Sequence, residues 1–292
     1  MRAVFLLEAV RSSRKAMAGA AVLAVFTLAA VFAGVIAPAN PNAQDFTPME
    51  SPSLQHLLGT TANGQDVFSQ LVYGTRQSLL IAAVAGLAAT VLSVLIGVSA
   101  AYLSGISDHL LSLLTDVFLV IPALPLAIVL AAYAKGGGVA TLVIVIAVTG
   151  WSFGARQLRS QALSLRDREF LEAARVRGER RLFIILFELI PTMTSLIVAN
   201  FLGAALYAVL ATAGLQFIGL GDINQIGWGT MLYWAEHNEA LTSGGPLWAI
   251  APGVCIALLG AGFALLNYAF DEITNPALRP VRRGRGRRPA HP

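Results

Sequence analysis

Arg168 to Pro191, REFLEAARVRGERRLFIILFELIP, is a charged, helix-patterned stretch set between long apolar runs. Eight arginines, Arg156, Arg159, Arg166, Arg168, Arg175, Arg177, Arg180 and Arg181, fall between two of those runs. Arg at the centre of a membrane helix costs ~2.5–3.5 kcal/mol each, so this segment lies outside the hydrocarbon and offers a surface to something soluble. Read as helix, Arg168 and Glu172 stand at i, i+4, as do Arg175 and Glu179, which places the charges on an exposed face. Glu172-Ala173-Ala174 is an acid followed by two small residues, and Gly178 allows the backbone to turn. Beyond it Leu182, Phe183, Ile185, Leu186 and Leu189 supply an apolar face, and Pro191 suits the first turn of the next span, where its missing N–H is not needed. The pattern predicts two short helices joined at Gly178, lying along the membrane surface, with Ala173 and Ala174 small enough for another protein to approach.

Outward from this loop the chain is apolar. Its 292 residues are 56% hydrophobic and 12% charged, against about 25% charged in soluble domains. Charge-poor runs of spanning length, about 20 residues for ~30 Å of hydrocarbon, occur at Ala16–Ala37, Ser78–Leu103, Leu110–Ala134, Val139–Ala155, Thr192–Ala213 and Leu247–Phe270. The reading is an all-α integral membrane protein with about six transmembrane helices. The first run exceeds an ordinary signal-peptide core and is read as a retained helix. The single cysteine, Cys255, lies inside the last run, which excludes a disulfide framework or a cysteine metal site within the chain.

Basic residues set the orientation. With the N-terminus inside, eighteen of the twenty Lys and Arg residues fall on inner segments and only Arg76 and Lys135 on outer ones. The positive-inside rule then places both termini and the arginine-rich loop in the cytoplasm. The segments are a cytoplasmic head at 1–15, a first membrane helix at 16–37, an outer loop at 38–77, a core at 78–278 containing the cytoplasmic loop 156–191, and a basic tail at 279–292. The tail's RRGRGRR suits anionic lipid headgroups. The net charge of +4 requires no nucleic-acid partner.

Several features carry two readings. From Asn63, residues Val67, Leu71 and Val72 or Gly74 recur at helical spacing, which fits an amphipathic helix at the outer interface or a lead-in to the second span. Pro122 and Pro125 break the helix pattern of the third span, and the resulting kink either lines a passage or is a packing bend. Asp116 stands inside an apolar run; such acids mark pathways, but the cytoplasmic start of that span favours a hydrated, structural carboxylate. Gly150 and Gly154 form a small-xxx-small packing face. Trp228, Tyr233, Trp234 and Trp248 fit an interfacial belt, in an outer segment long enough to hold a partner contact.

Glu172, Ala173, Ala174 and Gly178, followed by nine residues and a stretch closing on Pro191, resemble the loop signature of the permease subunits of bacterial ATP-binding cassette importers. Glu188 and Ile190 depart from it, standing where many members have Ile and Leu. His56-Leu57-Leu58-Gly59-Thr60, Asn63-Gly64-Gln65-Asp66-Val67-Phe68-Ser69 and Gly74-Thr75-Arg76-Gln77-Ser78-Leu79 are similar to a region of the dipeptide, oligopeptide and nickel group, with Thr61 and Gln65 in place of its usual Asp and Arg. Phe217-Ile218-Gly219-Leu220-Gly221, Trp228-Gly229-Thr230-Met231-Leu232 and Asn275-Pro276-Ala277-Leu278-Arg279 are similar to later motifs of that group, and the whole looks like its C-type subunit.

The resemblance implies a bacterial inner-membrane permease that pairs with a second related permease, docks two cytoplasmic ATPases through Glu172, Ala173, Ala174 and Gly178, and receives substrate from an extracytoplasmic binding protein. Pro191 would pass movement into the fifth span. ATP and Mg would bind the partner ATPases, since no phosphate-cradling G-x-x-x-x-G-K-[ST] stretch occurs here, and no cofactor or metal is expected on this chain. Di- or oligopeptides are the expected cargo, with nickel or oligosaccharides as alternatives. An ion-coupled carrier would need paired ionisable groups at the midplane, and an embedded enzyme a constellation such as H-E-x-x-H. The four histidines, His56, His109, His237 and His291, are scattered outside the spans. A lipid-binding scaffold leaves the Glu-Ala-Ala-x3-Gly spacing unexplained.

Overall fold

The computed structural model describes residues 13–103, 105–134 and 137–274, with side chains to Phe270. The head at 1–12, Lys135, the Asn275–Arg279 motif and the basic tail lie outside the described residues. The helices in chain order are α1 (Arg14–Val31), α2 (Ala33–Ile36), α3 (Val67–Leu103), α4 (Gly105–Val120), α5 (Ala123–Tyr133), α6 (Val139–Gly150), α7 (Ser152–Arg166) and α8 (Glu169–Val176). Then come α9 (Arg181–Phe183), a π-helical turn at Ile184–Leu189, α10 (Ile190–Thr192), α11 (Thr194–Phe217), α12 (Trp228–His237) and α13 (Pro246–Thr274). By length and composition α1, α3, α11 and α13 can each cross a membrane, and the bent pairs α4–α5 and α6–α7 raise the number to six if each is one span. The all-helical class is as read from the sequence, and the six apolar runs correspond to four long helices and two bent pairs.

Helix α3 is the central post, packed against α11 and α7 and, less extensively, α6 and α1. Its buried face is built from small residues, among them Ala82, Ala85, Ala89 and Ala101, because membrane helices gain by close backbone approach rather than by burying large side chains. At Gly97 that approach is closest: a Cβ there would sit 2.3 Å from the Ala155 carbonyl oxygen of α7. A Cβ at Gly154 of α7 would sit 2.2 Å from Asn200 Oδ1 of α11, and one at Gly150, the last residue of α6, 2.9 Å from the Tyr207 ring. The packing role read for Gly150 and Gly154 is what the structure shows.

Both bends have local causes. Helices α4 and α5 meet at 90°, where Pro122 lacks a donor and its ring disfavours helical backbone at Ile121. Helices α6 and α7 meet at 44°. There the Trp151 carbonyl accepts from the Ser93 hydroxyl of α3 at 2.6 Å as well as from the Ala155 N–H at 3.0 Å, the kind of side-chain intrusion that bends a helix.

Residues from Val67 prove to be the lead-in to the second span, not a separate interfacial helix: α3 runs unbroken from Val67 to Leu103. Asp66 caps its start, accepting the Ser69 N–H at 2.7 Å, as an N-cap carboxylate does. The other oxygen of Asp66 lies 3.0 Å from His56 Nδ1, and both residues are buried. Much of the outer motif thus fastens the loop to α3. Arg76 donates to the carbonyls of Ala30 and Val31 at 2.6 and 3.1 Å, satisfying the end of α1 where the helix dipole is negative. The aromatic belt is half corrected. Trp228 and Trp248 are buried, at 0% and 3% exposure, and Trp228 donates to the Leu71 carbonyl at 3.0 Å and meets Phe26 edge-on. They pack the core where α12 and α13 fold back on α1 and α3.

Candidate functional site

The Glu-Ala-Ala stretch forms α8, and its amphipathic spacing fixes which side faces inward. Leu171 and Ala174 are fully buried in a cluster with Val98 and Ala101 of α3, Leu158 and Ala162 of α7, and Ile184, Leu189 and Met193. Glu172, Ala173 and Val176 face outward. Ala174, read from the sequence as part of the contact face, is instead a packing residue: at 0% exposure it has no area left for a partner, and its small size lets α8 lie close against the bundle. The outward face is Glu172, Ala173 and Val176.

Gly178 ends α8 with a Schellman motif. Its N–H donates to the Arg175 carbonyl at 3.0 Å and the Glu179 N–H to the Ala174 carbonyl at 3.2 Å, and its φ is +77°, the left-handed conformation this cap requires. A Cβ at Gly178 would meet nothing within 4 Å, so glycine is demanded by the backbone, at ~1–2 kcal/mol for an L side chain, and not by crowding. Arg177 bridges the elbow, its guanidinium 2.7 Å from Glu179 and 3.7 Å from Glu188. Glu188, one of the two departures from the signature that the loop resembles, therefore has a local partner. Arg175 donates to the Arg166 carbonyl at the end of α7 at 2.6 Å and stands over the Tyr102 ring, which ties α8 to both α7 and α3.

The second short helix expected after Gly178 is not separate. From Arg181 the chain runs through α9, the π turn and α10 directly toward α11, so the helical path of the fifth span starts well before Pro191. Pro191 has no N–H and its ring crowds the carbonyl four residues earlier; the widened π turn just ahead of it relieves both. Hydroxyls re-satisfy the neighbourhood: Thr192 donates to the Glu188 carbonyl at 2.7 Å and Thr194 to the Pro191 carbonyl at 2.8 Å. Pro191 thus sits at an irregular joint between the α8 elbow and α11.

Two ion pairs fix the α4–α7 contact at the same end. Arg159 Nε and Nη2 grip Asp108 at 2.8 and 2.9 Å, a forked pair, and Arg156 pairs with Asp116. Asp116 and Arg156 are about half exposed, which supports the structural reading of Asp116 over a pathway acid. Sequence reasoning passes over Asp108, although a signal exists: Asp108 and Asp116, eight apart, fall on one helix face, as do Arg156 and Arg159, three apart.

Away from the elbow, a cavity of about 440 Å³ opens where the two bent pairs meet α3, α11 and α13. Pro122 lines it; Pro125, one turn into α5, does not. Its polar groups are neutral, including Ser93, Gln157, Asn200, Tyr207 and Asn267, and among the described residues no Asp, Glu, Lys or Arg lines it. Tyr207 hydroxyl lies 3.1 Å from Thr149 Oγ1, and Asn200 Nδ2 donates to Gln157 Oε1 at 3.2 Å. Glu172, Ala173, Ala174, Gly178 and Pro191 are therefore gathered on one elbow, while Pro122 belongs to a separate uncharged cavity. Among the described residues no cluster of His, Cys, Asp and Glu could hold a metal.

Residues 93–279 match the model of the binding-protein-dependent transport system inner membrane component family, and residues 8–55 that of the N-terminal TM domain of oligopeptide transport permease C. The oligopeptide transport system permease protein OppC of Mycobacterium tuberculosis (strain ATCC 25618 / H37Rv) is 29% identical over 275 residues, covering 93% of this chain and 94% of the relative. The dipeptide transport system permease protein DppC of Bacillus subtilis (strain 168) is 29% identical over 272 residues, covering 92% and 84%. A chain of the MetNI methionine ABC transporter, solved in inward-facing conformations, superposes with a TM-score of 0.53 at 18% identity, over 68% of this chain and 96% of that one, which shows a shared fold.

Proposed function

The chain belongs to the family of binding-protein-dependent transport system inner membrane components, a multi-pass membrane subunit, and from that premise we propose that it is a permease subunit of an ATP-driven importer of di- or oligopeptides. The relatives named for oligopeptide and dipeptide transport support the cargo. The observation that carries the mechanism is the α8 elbow, which presents Glu172 and Ala173 outward while Leu171 and Ala174 anchor it to three other helices. A helix held so firmly moves with the spans it touches. Two ATPases, each receiving one such helix from this chain or from a second related permease, would push α8 as they close on ATP and Mg. Gly178 holds the angle of the elbow, and the joint at Pro191 passes the motion into α11, rocking the bundle as a rigid body of the hinge kind.

In this reading both termini and the elbow face the cytoplasm, and a binding protein delivers cargo at the opposite end of α3. The uncharged cavity beside Pro122 serves as this chain's share of the path, completed by the second permease. Its neutral lining suits a carrier that does not select by ion pairing. The test is to purify the chain with its associated subunits in mild detergent, reconstitute them in liposomes and supply the binding protein with labelled tripeptide. Uptake should require ATP hydrolysis. Uptake driven by an ion gradient without ATP would overturn the proposal.

A further inference from the structure

At the end of the bundle opposite the arginine-rich elbow, the 38–66 loop and the segment leading into α12 enclose a pocket of about 300 Å³. Its composition is unlike that of the path cavity: among the described residues, seven of the thirteen that line it are Asn or Gln, and none is Asp, Glu, Lys or Arg. A carboxamide presents an N–H donor beside a C=O acceptor, the same pairing a peptide unit presents, so a wall of amides matches main chain. Some of these amides are already fixed. Gln70 Nε2 donates to Gln65 Oε1 at 2.9 Å and to the Pro41 carbonyl at 3.2 Å, and Gln225 Oε1 accepts from Gln77 at 3.1 Å. Asn42, Gln44, Asn63 and Asn224 complete the set without side-chain hydrogen bonds of this kind among the described residues.

A second observation is independent of the amides. Trp248 lines the pocket and is 3% exposed, and its indole N–H is sealed from solvent with no partner among the described residues. An N–H so covered is out of a ligand's reach, so the indole supplies part of the pocket wall and the amides supply the hydrogen bonds. Trp234 differs, since its N–H donates to the Ile223 carbonyl at 3.0 Å. Neutral polar walls with indoles are also used for sugars, but stacking on a sugar needs an open ring face. Trp248 has none, being packed with Phe263, Leu259 and Met231 in the core.

We infer that this pocket binds the main chain of a peptide, through its amides, as an entry subsite that is blind to side-chain charge. The inference rests on the peptide-importer reading and adds a site to it. The probe is N-acetyl-trialanine amide, which has peptide units and no charge, titrated calorimetrically into the reconstituted membrane complex without its binding protein; maltose is the comparison. Asn63→Ala and Asn224→Ala each alter an exposed rim residue outside the packed core. Each should weaken tripeptide binding roughly five- to tenfold, the worth of one lost hydrogen bond, with maltose showing no binding. Equal tripeptide affinity in parent and both variants, or maltose binding as tight as tripeptide, overturns the inference. ATP-driven peptide uptake by the parent complex is measured in parallel: if uptake stands and the variants bind normally, only the pocket assignment fails, whereas absent uptake indicts the importer reading.

Discussion

Glu172→Arg is expected to abolish both ATPase co-purification and peptide uptake while the chain still folds and inserts. Among the described residues no hydrogen bond or ion pair engages the Glu172 carboxylate, and the side chain is exposed. Its replacement removes nothing that holds the bundle together. The intrachain cost is confined to placing a cation in the first turn of α8, where the helix dipole favours an acid, about 0.3–1 kcal/mol. At a docked interface the cost is larger. Losing one member of a desolvated charge pair takes roughly 2–5 kcal/mol or more, about thirtyfold to several thousandfold in affinity, and a reversal adds repulsion. Size-exclusion profiles of the purified chain separate the two effects. A monodisperse chain without ATPase is the expected result, and undiminished transport would remove Glu172 from the docking surface.

Gly97→Val should do the opposite, failing at folding before function is reached. A Cβ at Gly97 lies 2.3 Å from the Ala155 carbonyl oxygen and 3.0 Å from the Ala155 Cα, and backbone cannot rotate aside as a side chain can. Overpacking a core typically costs about 1–3 kcal/mol, and here the obstacle is the main chain of α7 at the contact that positions Arg156, Arg159 and the approach to α8. Separation of α3 from α7 would also expose the cluster that seats Leu171 and Ala174. The expected readout is loss of most detergent-extractable, monodisperse chain, with no uptake. Gly214→Ala is the matched control, because a Cβ there meets nothing within 4 Å; it should leave yield and uptake unchanged.

What the sequence conveyed and what it withheld divide along physical lines. Spanning runs, the loop of arginines and the break at Pro122 are properties of single segments, set by transfer free energy and by a missing N–H, so they could be read directly. The Schellman cap at Gly178 was also local, and only its geometry awaited the structure. Facing was harder. Ala173 and Ala174 are adjacent and identical, yet α8 turns one outward and buries the other in the cluster with Leu158 and Ile184, which depends on partners far away in sequence. Trp228 and Trp248 have the composition of an interfacial belt, but α12 folds into the bundle and buries both. Asp108 takes its significance from Arg159, on a helix from another part of the chain, and a local reading of its own segment does not supply that partner. The π turn before Pro191 had no composition signal, since it reflects the strain of continuing a helix through proline.

The docking role of α8 is tested most directly by placing one thiol on its outward face. Ala173→Cys adds a small, exposed side chain, and the native Cys255 is only partly accessible within α13. In intact cells, a membrane-impermeant maleimide should leave the introduced thiol unlabelled, and a short bifunctional cross-linker applied to the solubilised complex should join it to a nucleotide-binding subunit, in a yield that changes on adding ATP. Labelling of that thiol from outside the cell, or an exposed thiol that never cross-links to an ATPase present in the complex, would contradict it.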